Sequence, residues 1–114
     1  MAQPYLTNLD ELVARELPGA HGLVCKHFFG GAALYSHNSI CASLTPAGIA
    51  FKLPEHRCTA LIASGTAMPL RYFDKSPVKK GYVLFPKASS LANADVASYL
   101  KECLSHANSP EQLL

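Results

Sequence analysis

Four apolar positions near the start of the chain recur with the spacing of one helical face. They are Leu9, Leu12, Val13 and Leu17. Thr7 precedes them and is the predicted N-cap, because a threonine hydroxyl can accept a hydrogen bond from an unpaired N–H of the first turn. Pro18-Gly19 ends the pattern, since proline restrains the residue before it and glycine adopts the left-handed conformation found at helix ends. We expect a helix that begins near Thr7 and ends at Leu17.

Beyond Leu23 the pattern changes to short apolar runs separated by turn residues, which predicts β-strands. The runs cover residues 23–29, 32–35, 39–44 and 49–53. Gly30-Gly31 is interpreted as a bulge or sharp bend after the first run, so this part of the chain is expected to form three strands. Residues 36–38 and 45–48 have turn-type composition and predict two hairpins.

The last of these runs alternates two sets of side chains. Ile49, Phe51 and Leu53 are separated by Ala50 and Lys52. Successive strand residues point to opposite faces of a sheet, so the first set is expected to face the core. We therefore expect the other sheet face, which carries Ala50 and Lys52, to be solvated.

The rest of the chain again joins helical and strand patterns. Pro54 and Glu55 suit the first turn of a helix that ends at Gly65. Residues 68–73 and 81–85 are predicted to be strands joined by a polar loop. A last helix is predicted from Asn93, a favourable N-cap. Its apolar face consists of Val96, Tyr99, Leu100, Cys103 and Leu104. The elements predict a two-layer α+β fold in the order α-β(3)-α-β(2)-α, with helices on one face of an antiparallel sheet.

Length and composition place these elements in one globular domain, residues 1–114. The hydrophobic fraction of 49% and the charged fraction of 16% are typical of a globular protein. The N-terminus has no basic segment followed by an apolar run, and no apolar stretch approaches the roughly 20 residues of a membrane span. We expect a cytoplasmic protein without membrane contact.

The four cysteines, at positions 25, 41, 58 and 103, contain no Cys-x-x-Cys pair and are predicted to be reduced, buried thiols. Cys25 with His27 and His56 with Cys58 could in principle assemble a zinc site, but their spacing fits no common zinc motif. Cys25, two residues from His27, is weak evidence for a nucleophile and its base, and the carboxylates are scattered. We expect no enzyme activity, no cofactor and no metal site.

Basic residues around the predicted loop 74–80 are the most suggestive surface feature. They are Arg71, Lys75, Lys79, Lys80 and Lys87, interleaved with Tyr72, Phe73 and Tyr82. This basic cluster could bind nucleic acid phosphates, or it could be a solvated loop whose lysines discourage strand pairing. The net charge of only +2 does not indicate general attraction to nucleic acid. The solvated sheet face and the edge strands are the alternative surface, suited to an extended peptide or a second copy of the chain, and we favour this alternative.

Several segments together resemble the N-terminal domain of the TfoX/Sxy family of competence regulators. Phe28-Phe29-Gly30-Gly31-Ala32-Ala33-Leu34-Tyr35 is similar to the Met-Phe-Gly-Gly signature of that family. Ile49 to Leu53, which contains Lys52, is similar to its Leu-x-Leu-Lys-Val strand, and Gly65 to Tyr72 is similar to its Gly-x-x-Pro-Phe-x-Tyr segment. Gly81 to Pro86, which contains Tyr82, resembles its Met-Ser-Tyr-Tyr-x-Val-Pro strand.

The resemblance implies a fold related to secretion chaperones and a non-enzymatic role in the transcriptional regulation of bacterial competence or a similar programme. It implies no catalytic residues. The partner it implies is another protein, either transcription machinery or a regulator, with a homodimer as the alternative. We expect the helical second domain of the full-length regulators to be absent.

Overall fold

The computed structural model describes residues 3–28, 30–71, 77–86 and 93–108. Its elements are α1 (Gln3–Glu16), β1 (Leu23–Phe28), β2 (Gly31–Ser36), β3 (Ser39–Thr45), β4 (Gly48–Lys52), α2 (Glu55–Ala63), β5 (Met68–Leu70), β6 (Lys79–Phe85) and α3 (Asn93–Ala107). The radius of gyration is 13.1 Å, close to the value of about 13 Å expected for a single domain of about 100 residues. No described helix is long and apolar enough to span a membrane.

The strands form one antiparallel sheet in the order β1-β2-β3-β4-β6-β5. The predicted α+β class is confirmed, but the segment before α2 contains four strands rather than three. The physical reason is that the chain reverses direction at Gly30-Gly31, so that Phe28 pairs with Gly31 and β1 lies beside β2. After β4, α2 carries the chain to the far edge of the sheet, and β6 returns between β4 and β5.

Both predicted hairpin turns are present. Ser36 pairs with Ser39, and the intervening His37 and Asn38 have φ angles of 49° and 70°. Positive φ at both central positions is the geometry of a type I′ turn, whose twist matches that of the flanking strands. In the second hairpin Thr45 lies opposite Gly48.

The main core lies between the three helices and one face of the sheet. Phe51 is fully buried at its centre, with ring centroids 5.5 Å from Tyr99 and 6.0 Å from Phe85. Every helix contributes buried side chains to this core: Leu9 from α1, Cys58 and Leu61 from α2, and Leu100, Cys103 and Ala107 from α3; Leu17, which directly follows α1, is buried there as well. The helices therefore cover one sheet face, as the pattern predicted.

Three element boundaries differ from the predictions. α1 begins before Thr7, which lies inside the helix, because proline at position 4 falls in the first turn, where its missing N–H breaks no helical hydrogen bond. β5 ends at Leu70 rather than at residue 73, and residues 72–76 lie outside the described ranges. β6 begins at Lys79, because Lys79 pairs with Leu70, so Lys79 and Lys80 belong to the strand rather than to the loop.

The sheet face opposite the helices, called here the open face, is less solvated than predicted. Ala50 is only 1% exposed and forms a second apolar cluster with Leu70, Tyr82 and Leu84. Among the described residues no helix contributes to this cluster. Small side chains on the inner strands are buried here because larger side chains on neighbouring strands stand over them.

Candidate interaction surface

β1 forms one edge of the sheet. It pairs with β2 along its whole length, and none of the described strands pairs with its outer side. An edge strand presents a row of backbone N–H and C=O groups to which another chain can bind. Val24 is 48% exposed on this strand, which is unusual for a valine.

Lys26 lies two residues after Val24, so both side chains point to the open face. The Lys26 Nζ lies 5.4 Å from the ring centroid of Tyr35, on the adjacent strand β2. This distance is within the range of a cation–π interaction. The interaction positions the ammonium group over β2 while the lysine remains exposed.

The opposite face of β1 carries Cys25 and His27, as the predicted strand periodicity requires. Burial raises the pKa of the Cys25 thiol to about 12, with a further contribution from a hydrogen bond to Asp10 and from the charge of that carboxylate. Cys25 is only half-buried, unlike the fully buried position predicted for it. Its raised pKa keeps the thiol protonated at neutral pH, which opposes a role as a nucleophile.

The charged residues of the described chain are divided between the two layers of the fold. Every described acidic residue belongs to a helix: Asp10, Glu11, Glu16, Glu55, Asp95 and Glu102. The charged residues of the described strands are all lysines, at positions 26, 52, 79 and 80. Lys52 points to the open face, because it alternates with Phe51 of the core and pairs with Tyr82. The sheet layer therefore carries positive charge without carboxylates to offset it.

The predicted basic cluster is brought together only in part. Arg71 directly follows β5, and Lys80 follows Lys79, the β6 residue that pairs with Leu70; the side chains of Arg71 and Lys80 are exposed. Lys79 is paired in β6, whereas Lys75 and Lys87 lie outside the described residues. The structure thus places two exposed cations at one end of the β5–β6 hairpin.

The residues of the family-like signature occupy separate parts of the sheet. Gly31 lies beside β3, where an added Cβ would come within 2.2 Å of the Leu44 carbonyl oxygen. Gly30 has a φ of +77° and open space around it. Phe28, Tyr35, Lys52 and Tyr82 are in strands, Pro86 follows β6, and Phe29 lies outside the described residues. The two glycines serve the turn and the close approach of strands, rather than a binding loop.

The predicted zinc candidates are far apart. Cys25 and His27 lie on edge strand β1, whereas His56 and Cys58 lie on α2, which packs against β5 and β6 at the other side of the sheet. Among the described residues, no group of three or more histidine, cysteine or acidic side chains could hold a metal ion.

The remaining thiols are part of the core. Cys41, Cys58 and Cys103 are free and buried, as predicted. The thiols of Cys41 on β3 and Cys103 on α3 interact with each other, which lowers the pKa of Cys41 and raises that of Cys103. Cys103 is also within 3.1 Å of the Leu100 carbonyl oxygen. The interaction between the Cys41 and Cys103 thiols links α3 to the sheet, whereas the contact with Leu100 lies within α3.

A cleft of about 290 Å³ lies between α1, α3 and the sheet. Its apolar residues are Leu12, Leu44, Ile49 and Val96. The polar residues at its rim, Asn8, Glu11 and Arg15, are all exposed. The cleft therefore lacks the buried, fixed polar groups that orient a small ligand.

The basic loop was visible in the sequence, but the surface formed by Val24, Lys26 and Tyr35 was not. Alternation within residues 23–29 indicates only that Val24 and Lys26 share a face. That Tyr35 lies beside them depends on the chain reversal at Gly30-Gly31, where the two glycines predict only a bulge or sharp bend. The signal available in the sequence was a valine and a lysine two positions apart in a predicted strand.

Comparisons with protein-family models, curated proteins and solved structures found no match to this chain. The resemblance to the TfoX N-terminal domain accordingly stays a prediction, carried by the sequence segments alone.

Proposed function

We propose that this domain is a non-enzymatic regulatory module of the bacterial cytoplasm that binds another protein through β1 and the adjoining open face. The observation that carries the proposal is the unpaired outer side of β1, with Val24 half-exposed beside the exposed Lys26. Exposed strand edges bind extended segments through main-chain hydrogen bonds. The sequence resemblance to the TfoX N-terminal domain supports a role in transcriptional or competence regulation.

The polar groups of the helical layer support a binding role because they serve structural contacts. Arg57 on α2 donates two hydrogen bonds to the Glu102 carboxylate on α3, at 2.7 and 3.2 Å. The Asp10 carboxylate interacts with the protonated Cys25 thiol. General acid–base catalysis requires titratable groups that converge on one cleft, whereas these groups lie at separate places and already have partners.

The experiment is affinity purification from the native cell, with and without nuclease and at two salt concentrations. The wild-type chain is compared with Val24→Lys, which places a charge on the edge. Val78→Lys is the matched control, because Val78 is 40% exposed and lies outside β1. We expect a protein that is retained after nuclease treatment, lost with Val24→Lys and kept with Val78→Lys. Capture that needs nucleic acid, or equal capture by both variants, would contradict the proposal.

A second candidate function is nucleic acid binding through the basic cluster. It is favoured by the exposed Arg71 and Lys80 at one end of the β5–β6 hairpin. If this hairpin binds phosphates, replacing Lys79 and Lys80 with Glu should abolish a salt-sensitive mobility shift. An unchanged shift, or no shift with the wild-type chain, would eliminate this candidate.

A further inference from the structure

The distribution of charge over the two layers restricts the chemistry of a partner at β1. The described acidic side chains all lie on helices, whereas the charged side chains of the described strands are all lysines. On the open face an incoming strand would therefore meet Lys26 without a neighbouring carboxylate from the described part of the chain. Complementary charge steers association and suppresses wrong partners, so this face favours an acidic partner.

We propose that β1 binds an extended acidic segment of a partner protein as an additional strand of the sheet. The inference rests on the proposed function, because it specifies the partner's chemistry at the same surface. The outer backbone of β1 supplies the hydrogen bonds, and the side chains of Val24 and Lys26 supply the selectivity.

The geometry also specifies the pattern of the bound segment. Residues that face one side of a sheet are two positions apart, so an acidic residue opposite Lys26 lies two positions from an apolar residue opposite Val24. The apolar residue would cover the 48% of Val24 that is exposed. The intervening residues would face α1, where the Asp10 carboxylate lies close to Cys25 and disfavours further negative charge. The expected pattern is an apolar and an acidic residue on alternate positions, separated by uncharged residues.

Two aromatic residues of the open face, Tyr35 and Tyr82, are poorly suited to stacking with nucleic acid bases. Base stacking needs an accessible ring face, but Lys26 lies over the ring of Tyr35 and Tyr82 is only 7% exposed. A second copy of the chain is also disfavoured, because its β1 would bring another Lys26 and no strand carboxylate. An acidic peptide can hydrogen-bond to the outer backbone groups of β1 and also complements the positive charge of Lys26.

The test uses fluorescence anisotropy with short labelled peptides of the pattern Val-Thr-Glu-Thr-Val and the same peptides with Lys in place of Glu. We expect the full chain to bind the acidic peptide and Lys26→Glu to weaken binding by roughly tenfold, because the reversal turns an attraction into a repulsion. Lys26→Glu should also come to prefer the Lys peptide. Lys101→Glu, an equal charge change at an exposed position on α3, should leave binding unchanged.

Amide hydrogen exchange of the complex shows whether a strand is added. The β1 amides that point outward, on alternate residues, should exchange more slowly when the acidic peptide is bound. Equal binding of both peptides, no effect of Lys26→Glu, or unprotected β1 amides would overturn the inference. It would also be overturned by a Lys26-dependent dimer in sedimentation or by oligothymidylate binding at Lys26 without acidic-peptide binding. The affinity experiment tests the proposed function separately. If it captures a protein whose binding depends on Val24, the proposed function stands even when one of these outcomes overturns the acidic-segment inference.

Discussion

Adjacent glycines in the turn between β1 and β2 are required for different physical reasons. At Gly31 the backbone of β3 is close: an added Cβ would lie 2.2 Å from the Leu44 carbonyl oxygen and 2.7 Å from the Thr45 Cα. At Gly30 nothing lies within 4 Å, but φ is +77°. Alanine at the two positions therefore tests a collision with backbone in one case and a conformational penalty in the other.

The expected losses of unfolding free energy can be compared. Gly31→Ala forces β2 and β3 apart by roughly 1 Å, and overpacking of this kind costs about 1–3 kcal/mol. Weakened backbone hydrogen bonds between the strands add about 1 kcal/mol. Gly30→Ala costs about 1–2 kcal/mol for the left-handed conformation, and either alanine gains about 0.4–1 kcal/mol by restricting the unfolded chain. We expect a net loss of about 2–3 kcal/mol for Gly31→Ala and about 1 kcal/mol for Gly30→Ala.

Urea and thermal unfolding, followed by far-ultraviolet circular dichroism, measure both losses. At about 4 °C per kcal/mol for a domain of this size, the melting temperature should fall by about 8–12 °C for Gly31→Ala and by about 4 °C for Gly30→Ala. Gly30→Asn is the matched control, because asparagine tolerates positive φ, and it should lie close to the wild type. If Gly31→Ala is no less stable than Gly30→Ala, the close approach of β2 and β3 is not the reason for glycine at position 31.

Three other changes test the core, an ion pair and a thiol. Phe51→Ala should lower the unfolding free energy in urea by about 3–5 kcal/mol, because it empties the centre of the core. A double-mutant cycle with Arg57→Ala and Glu102→Gln should give a coupling of about 0.5–1 kcal/mol that declines with salt, since this bidentate pair is partly exposed. Native Cys25 should react with iodoacetamide at least about tenfold more slowly than in urea, and Asp10→Asn should accelerate the native reaction. Between pH 9 and about 12 the folded chain keeps the Cys25 proton, whereas the unfolded chain, with the ordinary thiol pKa of 9.0, has lost it. The contribution of Cys25 to the free energy of unfolding should therefore be lost as pH rises from about 9 toward 12. Cys25→Ala should make the decline of stability over this pH range less steep.

Each of these predictions has a contrary result. A loss below about 1 kcal/mol for Phe51→Ala would mean that the core refills the space. A coupling that is zero at low salt would mean that the Arg57–Glu102 contact adds nothing measurable to stability. Alkylation of native Cys25 at the rate found in urea would show that neither burial nor Asp10 protects the thiol.

Local chemistry accounts for the parts of the fold that could be predicted from the sequence. The turns at residues 36–38 and 45–48 and the apolar face of α3 depend on neighbouring residues, so their signals are contained in short windows. The Gly30-Gly31 pair was ambiguous because glycine serves a bulge and a tight reversal equally well. The insertion of β6 between β4 and β5 depends on pairing between distant segments, which no local pattern specifies.

The candidate surface also combines features that a short stretch of sequence predicts with features that depend on strand pairing. The lysines near residues 71–87 form a cluster in sequence and were therefore recognised, although Lys79 and Lys80 proved to begin a strand. The contact of Lys26 with Tyr35 requires knowledge of the β1–β2 register. The separation of acidic helices from basic strands emerges only when each residue has been assigned to a layer.

The position of α3 affects the order in which the protein can fold on the ribosome. β1 to β4 pair with their neighbours in sequence, so this meander can form early, at a small cost in loop entropy. Leu100 and Cys103 are fully buried against it, and Asn108 accepts a hydrogen bond from Ser36, 72 residues earlier. Until α3 packs against β3 and β4, the part of the apolar sheet face that α3 covers stays in contact with water. The interval before α3 packs onto the sheet is therefore the one in which the chain depends most on chaperones that shield exposed apolar surface.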